Sequence, residues 1–245
     1  MTDLRPVLLL TRPEDSARTF WDSLPEALRT GCDCVIAPLI GFRPLPAATD
    51  LTAYDGLVLT SAQALAALPS PPPPGMTAYC VGASTARAAR RAGLAAVSAE
   101  GDAAALVALV AQQAPGARLL HLRGTHARGD VAATLTAAGV PTDEAVVYDQ
   151  PAIPLTDQAR AALDGTAPVV VPLFSPRTAA LFAAGHAGKA DLYLACMSAA
   201  VARETQSLRA KDRAVAPHPD AASMRDTVET LAFEAGCLRH GQHGL

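Results

Sequence analysis

Short apolar runs alternate along the chain with stretches whose apolar residues return every third or fourth position, the rhythm of strands passing into amphipathic helices. Residues 7–10, VLLL, predict a buried strand, and Thr11-Arg12-Pro13-Glu14-Asp15 turns into a helix that runs to about residue 29. Gly31 stops it, and residues 33–37 make a second strand. Pro38, Pro44 and Pro46 then mark an extended connection that makes a poor central strand. From Asp55 the pattern predicts strand 56–59, a helix through Leu68 and strand 77–81. A helix opens at Gly82-Ala83-Ser84-Thr85 and closes at Gly93, followed by strand 95–98 and by helix 103–113 with Asp102 as its N-cap. Strand 118–122, helix 130–138 and strand 143–148 complete this stretch. Beyond a second proline-spaced segment, Pro151-Ala152-Ile153-Pro154, come helix 157–163, strand 169–174 and a helix after Ser175. Strand 191–196, a helix from Ser198 to about Ser207, strand 214–216 and helix 221–235 follow, and the tail 239–245 is expected to be mobile.

Strands in alternation with helices predict an α/β fold with doubly wound parallel sheets. Residues 44–149 hold five strands, a complete unit, whereas the C-terminal portion holds three and the N-terminal segment two. Two strands alone cannot bury both faces of a parallel sheet. Residues 1–38 are therefore expected to fold with 155–245 as one discontinuous domain. Residues 44–149 are inserted as the other, and 39–43 and 150–154 serve as linkers.

An internal repeat supports this division. LVLTSAQAL at 57–65 and LFSPRTAAL at 173–181 each end an apolar run in a hydroxyl turn that leads into a helix. Ser61 and Gly82 are separated as Ser175 and Cys196 are, which puts Ser84 in register with Ser198. Asp102-Ala103-Ala104-Ala105-Leu106 matches Asp220-Ala221-Ala222-Ser223-Met224, and LLHLRGTHARGDV at 119–131 resembles VLLLTRPEDSARTF at 7–20, pairing Arg123 with Arg12. Two similar domains are expected, their hydroxyl turns facing each other across a cleft.

Composition narrows the function classes. A 50% hydrophobic content suits buried cores, and 20 Lys+Arg against 23 Asp+Glu, a net charge of −3, suggest no general affinity for nucleic acid or for anionic membrane. Aromatics at 4% argue against stacking platforms for single strands. Cys32, Cys34, Cys80, Cys196 and Cys237 form no CxxC pair or zinc spacing and read as small core residues of a reduced compartment. The apolar run before Thr11 is too short for a signal core and nothing reaches a membrane span, so a cytoplasmic location is expected.

In open parallel sheets ligands bind beyond the carboxyl ends of the strands, where free N–H groups of the next helix attract anions. Thr11-Arg12, Thr60-Ser61, Gly82–Thr85, Arg123-Gly124, Ser175 and Ser198 all fall at that edge. Arg12 and Arg123 add bidentate carboxylate or phosphate contacts. Together these turns suit a polyanionic small molecule. The plainer readings stay open: such Ser and Thr residues are N-caps in most proteins, the arginines are solvated or paired with a neighbouring acid, and His121 is a satisfied structural histidine in a strand. His126, His218 and His240 lack partners at metal spacing. GTHARG at 124–129 has phosphate-loop spacing but is followed by Asp130 where Lys is needed, and neither GxGxxG after the first strand nor GxSxG is present. Any catalysis would then work by positioning and electrostatics.

LLTRP at 9–13, LTSAQAL at 59–65, CVGASTARAARRAG at 80–93, GDAAAL at 101–106, LHLRG at 120–124, VVYDQP at 146–151 and LFSPRTA at 173–179, in this order and spacing, resemble the uroporphyrinogen-III synthase family. The resemblance implies two flavodoxin-like domains joined by an extended two-stranded linker, with the substrate held between them. It implies a cofactor-free hydro-lyase of tetrapyrrole biosynthesis that cyclises linear hydroxymethylbilane to uroporphyrinogen III, inverting the D ring through a spiro intermediate and losing water. By position, Tyr148 resembles the family tyrosine that assists departure of the hydroxyl as hydrogen-bond donor or general acid, set against a plain role as a buried linker aromatic. Arg12, Thr60, Ser61, Gly82, Ala83, Ser84, Thr85, Arg123, Gly124, Ser175 and Ser198 would bind the substrate carboxylates. Where the family has a Gly-containing turn in the second repeat, this chain has Cys196-Met197-Ser198, which places Ser198 on weaker ground than Ser84. A monomer with no metal is expected, in at most transient contact with the upstream hydroxymethylbilane synthase. The rival readings are a non-catalytic two-domain protein that binds a tetrapyrrole or another polyanion, and a glycosyltransferase, for which the chain is short.

Overall fold

Every residue of the first strand, β1 (Val7–Leu10), is buried, because Leu9 faces one apolar cluster while Leu8 and Leu10 face another. Burial of one such leucine contributes about 1.5–3 kcal/mol, so a strand covered on both faces reads as an unbroken apolar run. In the computed structural model, which describes residues 5–46, 50–69, 71–126 and 129–237, helices α1 (Glu14–Asp22) and α2 (Glu26–Gly31) and strand β2 (Asp33–Ile36) follow. The expected mobile tail, with His240, lies outside the described residues. The single helix predicted to residue 29 is instead two. Ser23 ends α1, and Pro25, which lacks the N–H to continue it, caps α2.

Strand β3 (Arg43–Pro44) precedes β4 (Gly56–Leu59), β5 (Thr77–Cys80), α3 (Ala83–Arg91), β6 (Ala95–Ser98), α4 (Ala103–Gln113), β7 (Leu119–Gly124), α5 (Val131–Ala137) and β8 (Thr142–Asp149). Between β4 and β5 the expected α-helix is a 3₁₀ turn, Ala62–Ala67, closed by bonds such as Ala64 N–H to Ser61 O, with Leu68 and Pro69 ending it after six residues. Then come α6 (Asp157–Asp164), β9 (Val169–Leu173), α7 (Pro176–Gly185), β10 (Leu192–Cys196), α8 (Ala199–Arg203), β11 (Asp212–Val215) and α9 (Ala221–Glu234). Helix α8 stops at Arg203, short of the expected Ser207. There Arg213 draws the chain aside, donating to the Thr205 hydroxyl at 3.0 Å and to the carbonyls of Thr205 and Leu208.

The chain divides into two units, Met1–Gly41 with Ala152–Leu245, and Phe42–Pro151. The first holds a parallel sheet in the order β11-β10-β9-β1-β2, and the second a sheet ordered β3-β8-β7-β4-β5-β6. The repeat aligns β4 with β9, β5 with β10, β6 with β11, β7 with β1 and β8 with β2. Under that correspondence the five parallel strands of the two sheets have the same spatial order, which is flavodoxin-like. The units are circular permutations of one pattern. The sixth strand, β3, comes from the linker and pairs antiparallel with β8, while Ile40 and Ala152 form an antiparallel bridge. The two proline-marked stretches thus make an extended two-stranded connection. No described helix is long and apolar enough to cross a membrane.

Candidate functional site

In the second unit β5, β4, β7 and β8 lie side by side, so the turns that follow them share one sheet edge. Ser61, two residues after β4, is an N-cap whose oxygen accepts from Gln63 N at 3.3 Å. Gly82 is the N-cap of α3, Ala83 is its first residue, Ser84 is exposed and Thr85 is buried. Asp130, which stands where a phosphate loop needs Lys, caps α5 through Ala133 N at 3.1 Å.

Arg123 extends from the end of β7, where its Nε donates to Glu144 Oε2 at 2.8 Å and its Nη1 to the Gly124 carbonyl at 3.2 Å. His121, two residues earlier and on the same face, is 1% exposed. Its Nδ1 lies 3.3 Å from Glu144 Oε1 and its Nε2 lies 3.4 Å from Thr60 Oγ1. Burial pushes the imidazole below its usual pKa and nearby Arg123 acts in the same direction, against the hydrogen bond to Glu144. His121 therefore has the partners expected of a structural histidine, and they link two candidate binding residues, Thr60 and Arg123.

Tyr148 owes its placement to an irregularity in β8. Arg123 pairs with Val146 but Gly124 pairs with Tyr148, so Val147 is an extra residue on β8. Strict alternation would send Val147 and Tyr148 to opposite faces, yet both belong to one buried cluster. Gly124 makes room for the ring: a Cβ there would stand 2.7 Å from Tyr148 Cζ and 3.0 Å from its hydroxyl oxygen. Phe42, itself 44% exposed, lies with its ring centroid 5.8 Å away, tilted by 40°. The Tyr148 carbonyl accepts from Thr125 N at 3.0 Å, whereas its hydroxyl makes no hydrogen bond to another described residue and, not being among the buried unpartnered atoms, reaches solvent. A buried aromatic whose hydroxyl is satisfied by backbone is therefore not what is found.

The first unit has its own set. Arg12 follows β1 and lies over the Phe174 ring, its Cζ 4.1 Å from the centroid, and Phe20 meets the same ring edge-on at 5.0 Å. Burial lowers the Arg12 pKa from its ordinary value, and among the described residues Arg12 has no acid partner. Neighbouring Thr11 is 1% exposed and its hydroxyl is unpartnered among the described residues. Ser175 caps α7, accepting from Thr178 N at 3.2 Å and donating to Thr178 Oγ1 at 2.9 Å. Ser198 caps α8 through Val201 N at 3.4 Å.

Two expectations about the repeat change. Cys80 ends β5 and Cys196 ends β10, while Gly82 and Ser198 both cap the helix that follows, so Ser198 corresponds to Gly82 and not to Ser84. The equal spacing seen in the sequence is off by two residues because the first unit has a longer connection before β10. Nor does the turn require glycine. Gly82 has φ −145° and ψ 166°, close to the −160° and 166° of Ser198, and a Cβ at Gly82 would meet nothing within 4 Å. The objection to Ser198 drawn from the missing glycine therefore falls.

Sequence reasoning did not single out Glu144, Phe42 or Phe174. Glu144 lies in the polar start of its strand, Thr142-Asp143-Glu144, and nothing in the sequence marks it, because its pairing with His121 depends on the register of β7 and β8. Of the cysteines, Cys32, Cys80, Cys196 and Cys237 are buried and free, whereas Cys34 is only partly buried. His126 and His218 are exposed, and no metal-holding cluster occurs among the described residues.

The sequence model of the family described as uroporphyrinogen-III synthase HemD matches residues 23–226. Comparison with curated proteins gives no match. Among solved structures, the chain is similar to a uroporphyrinogen-III synthetase from Helicobacter pylori, with TM-score 0.66 and 16% identity, covering 93% of this chain and 100% of that one. It is also similar to a mutant uroporphyrinogen III synthase from Thermus thermophilus, with TM-score 0.49 and 12% identity over 94% and 99% of the two chains.

Proposed function

Because the chain belongs to the uroporphyrinogen-III synthase family, we propose that it cyclises linear hydroxymethylbilane to uroporphyrinogen III, inverting the D ring and releasing water. The substrate is ringed with acetate and propionate carboxylates. The helix N-termini at Ser61, Gly82–Thr85, Ser175 and Ser198, together with Thr60, Gly124, Arg12 and Arg123, receive them. Ser61, Ser175 and Ser198 already accept backbone bonds, so at these turns the anion meets the remaining free N–H groups and whatever hydroxyl proton is uncommitted.

Tyr148 carries the acid step. Its phenol gives a proton to the leaving hydroxyl, so that water departs, and the phenolate recovers the proton released when the final carbon–carbon bond restores the pyrrole. The observation that supports this most is the unbonded hydroxyl of a ring held on three sides, by the β8 bulge, by Gly124 and by Phe42. Ring inversion then depends on holding the bilane folded so that closure to the unrearranged type I isomer is excluded.

The experiment is to supply hydroxymethylbilane, oxidise the products and resolve the isomers. Type III product above the enzyme-free control is expected; type I alone would refute the proposal.

A further inference from the structure

Four side chains, Thr60 just after β4 and three on β7 and β8, form one continuous polar chain on a face otherwise lined by Val58, Leu119, Val131 and Leu135. Thr60 Oγ1 lies 3.4 Å from His121 Nε2, His121 Nδ1 lies 3.3 Å from Glu144 Oε1, and Glu144 Oε2 accepts from Arg123 Nε at 2.8 Å. The two ends of the chain are proposed carboxylate binders. The two middle members are not, and one of them, His121, is 1% exposed in a site that offers it no other polar partner among the described residues.

The hydrogen-bond arithmetic of the imidazole sets what Thr60 can do. Nδ1–H faces Glu144, which as a carboxylate only accepts. If the ring is neutral, Nε2 is an acceptor and takes the single hydroxyl proton of Thr60, leaving Oγ1 with lone pairs to present. Lone pairs repel a carboxylate. If the ring is doubly protonated, Nε2–H donates to Thr60 and the Thr60 proton is free to turn outward.

We propose that His121 is a positioning residue that acts through Thr60, taking up one proton as a substrate carboxylate binds there, with Glu144 as the counter-charge that holds both His121 and Arg123. This rests on the reading above that Thr60 and Arg123 receive substrate. The charged groups that bear on the imidazole are Glu144 on β8, Arg123 on β7 and Asp130 at the start of α5. Arg123 opposes protonation while Glu144 and Asp130 favour it, and an arriving anion adds to the second group. Burial holds the ring below its usual pKa and so neutral at neutral pH, and uptake accompanies binding.

The test is a pH series of KM and kcat between pH 4.5 and 8.5 for the wild type, Thr60→Val, His121→Gln and the double variant, with isomers resolved at each point. One proton taken up on binding raises the wild-type KM by up to about tenfold per pH unit on the alkaline side, with kcat nearly level. Thr60→Val and His121→Gln should each remove that slope, and His121→Gln should add nothing further in the Thr60→Val background. Glu144→Gln, partly exposed and milder, keeps the proposal testable if His121→Gln does not fold; it should move the onset of the KM rise to lower pH. A slope that survives His121→Gln or an onset unmoved by Glu144→Gln would overturn the proposal, as would independent effects of Thr60→Val and His121→Gln on KM. Those outcomes leave type III formation intact. Wild-type protein that gives only type I product, by contrast, removes the synthase reading itself.

Discussion

Gly124→Ala adds one methyl group where the Tyr148 ring now lies. The new Cβ would stand 2.7 Å from Cζ and 3.0 Å from the hydroxyl oxygen, and closer still to Cε2. Ordinary carbon–carbon contact needs about 3.5–4.0 Å, so ring or strand must yield by roughly 1 Å. Both sides are constrained: Gly124 is paired with Tyr148 in the ladder, and the ring belongs to a buried cluster that includes Leu122 and Val147. Overpacking of this kind destabilises by about 1–3 kcal/mol. A reacting group misplaced by about 1 Å loses on the order of 10²-fold in rate. Gly124→Ala should therefore lower the type III rate by about that factor together with a modest loss in unfolding free energy. Tyr148→Phe separates the two effects, since it keeps the packing and removes only the hydroxyl, so it should lower kcat with little change in stability. In the double variant the stability loss of Gly124→Ala should persist while its effect on rate largely vanishes. The assay is isomer-resolved turnover alongside denaturant unfolding of all four proteins. Gly124→Ala with wild-type kcat, or a rate loss that persists undiminished in the Tyr148→Phe background, would refute the argument that Gly124 acts by placing the phenol.

Arg12 has a stacking partner but no acid among the described residues, so Arg12→Ala strands no carboxylate: KM should rise about tenfold or more with little change in melting temperature, and Arg12→Lys should recover only part, because an ammonium does not reproduce the planar fork; an unchanged KM would remove Arg12 from substrate binding. The lowered pKa of His121 fixes a sign for stability, because the unfolded chain takes up this proton near pH 6.5 while the folded chain takes it up only at lower pH. Stability is therefore full above about pH 6.5 and falls below it by up to about 1.4 kcal/mol per pH unit, and His121→Gln should flatten the curve between pH 7 and 5; a slope unaltered by the variant would assign it elsewhere, for instance to His186, which burial also lowers. Asp102 accepts from Ala104 N and Ala105 N, both at 3.0 Å, so Asp102→Ala should cost about 1 kcal/mol and leave kcat alone, and a variant as stable as wild type would show that the cap is not needed.

What the sequence disclosed follows from what each feature depends on. Strands β1, β4 and β9 were legible because a strand covered on both faces must be apolar throughout, and the cap at Asp102 because an N-cap is a local bond between neighbours. The break at Pro25 was legible and was passed over: the apolar period continues through it, but a proline at that point outranks the period. The bulge at Val147 was not legible, since it is a mismatch between two strands and the run Ala145-Val146-Val147 carries no mark of it. The same holds for the chain from Thr60 to Arg123. His121 and Glu144 stand 23 residues apart, and only the parallel register of β7 on β8 brings them level. The candidate turns share a place after strands that the sequence marks, whereas the bonds that decide what each hydroxyl can donate depend on tertiary contacts that it does not.

The permuted repeat explains why the proposed acid is unique while the proposed binding turns are paired. The turns after β4 and β9, and after β5 and β10, are copies, and a duplicated element suits a substrate with many similar carboxylates. A single departing hydroxyl calls for one proton donor, and a duplicated turn is a poor place for it. In both units the linker leaves after the same strand of the pattern, β2 in one and β8 in the other, but the copies part there. After β2 the chain keeps a single shifted bond to the β1 side, Leu39 N to Thr11 O at 3.2 Å, and an isolated bridge between Ile40 and Ala152, whereas β8 continues as a strand along β7 through the bulge to Tyr148 and takes β3 as a further strand. The extension is a full strand pairing in one copy and only isolated bonds in the other. The residue it fixes lies where the chain stops repeating itself, and a group needed once is best carried on a segment that occurs once.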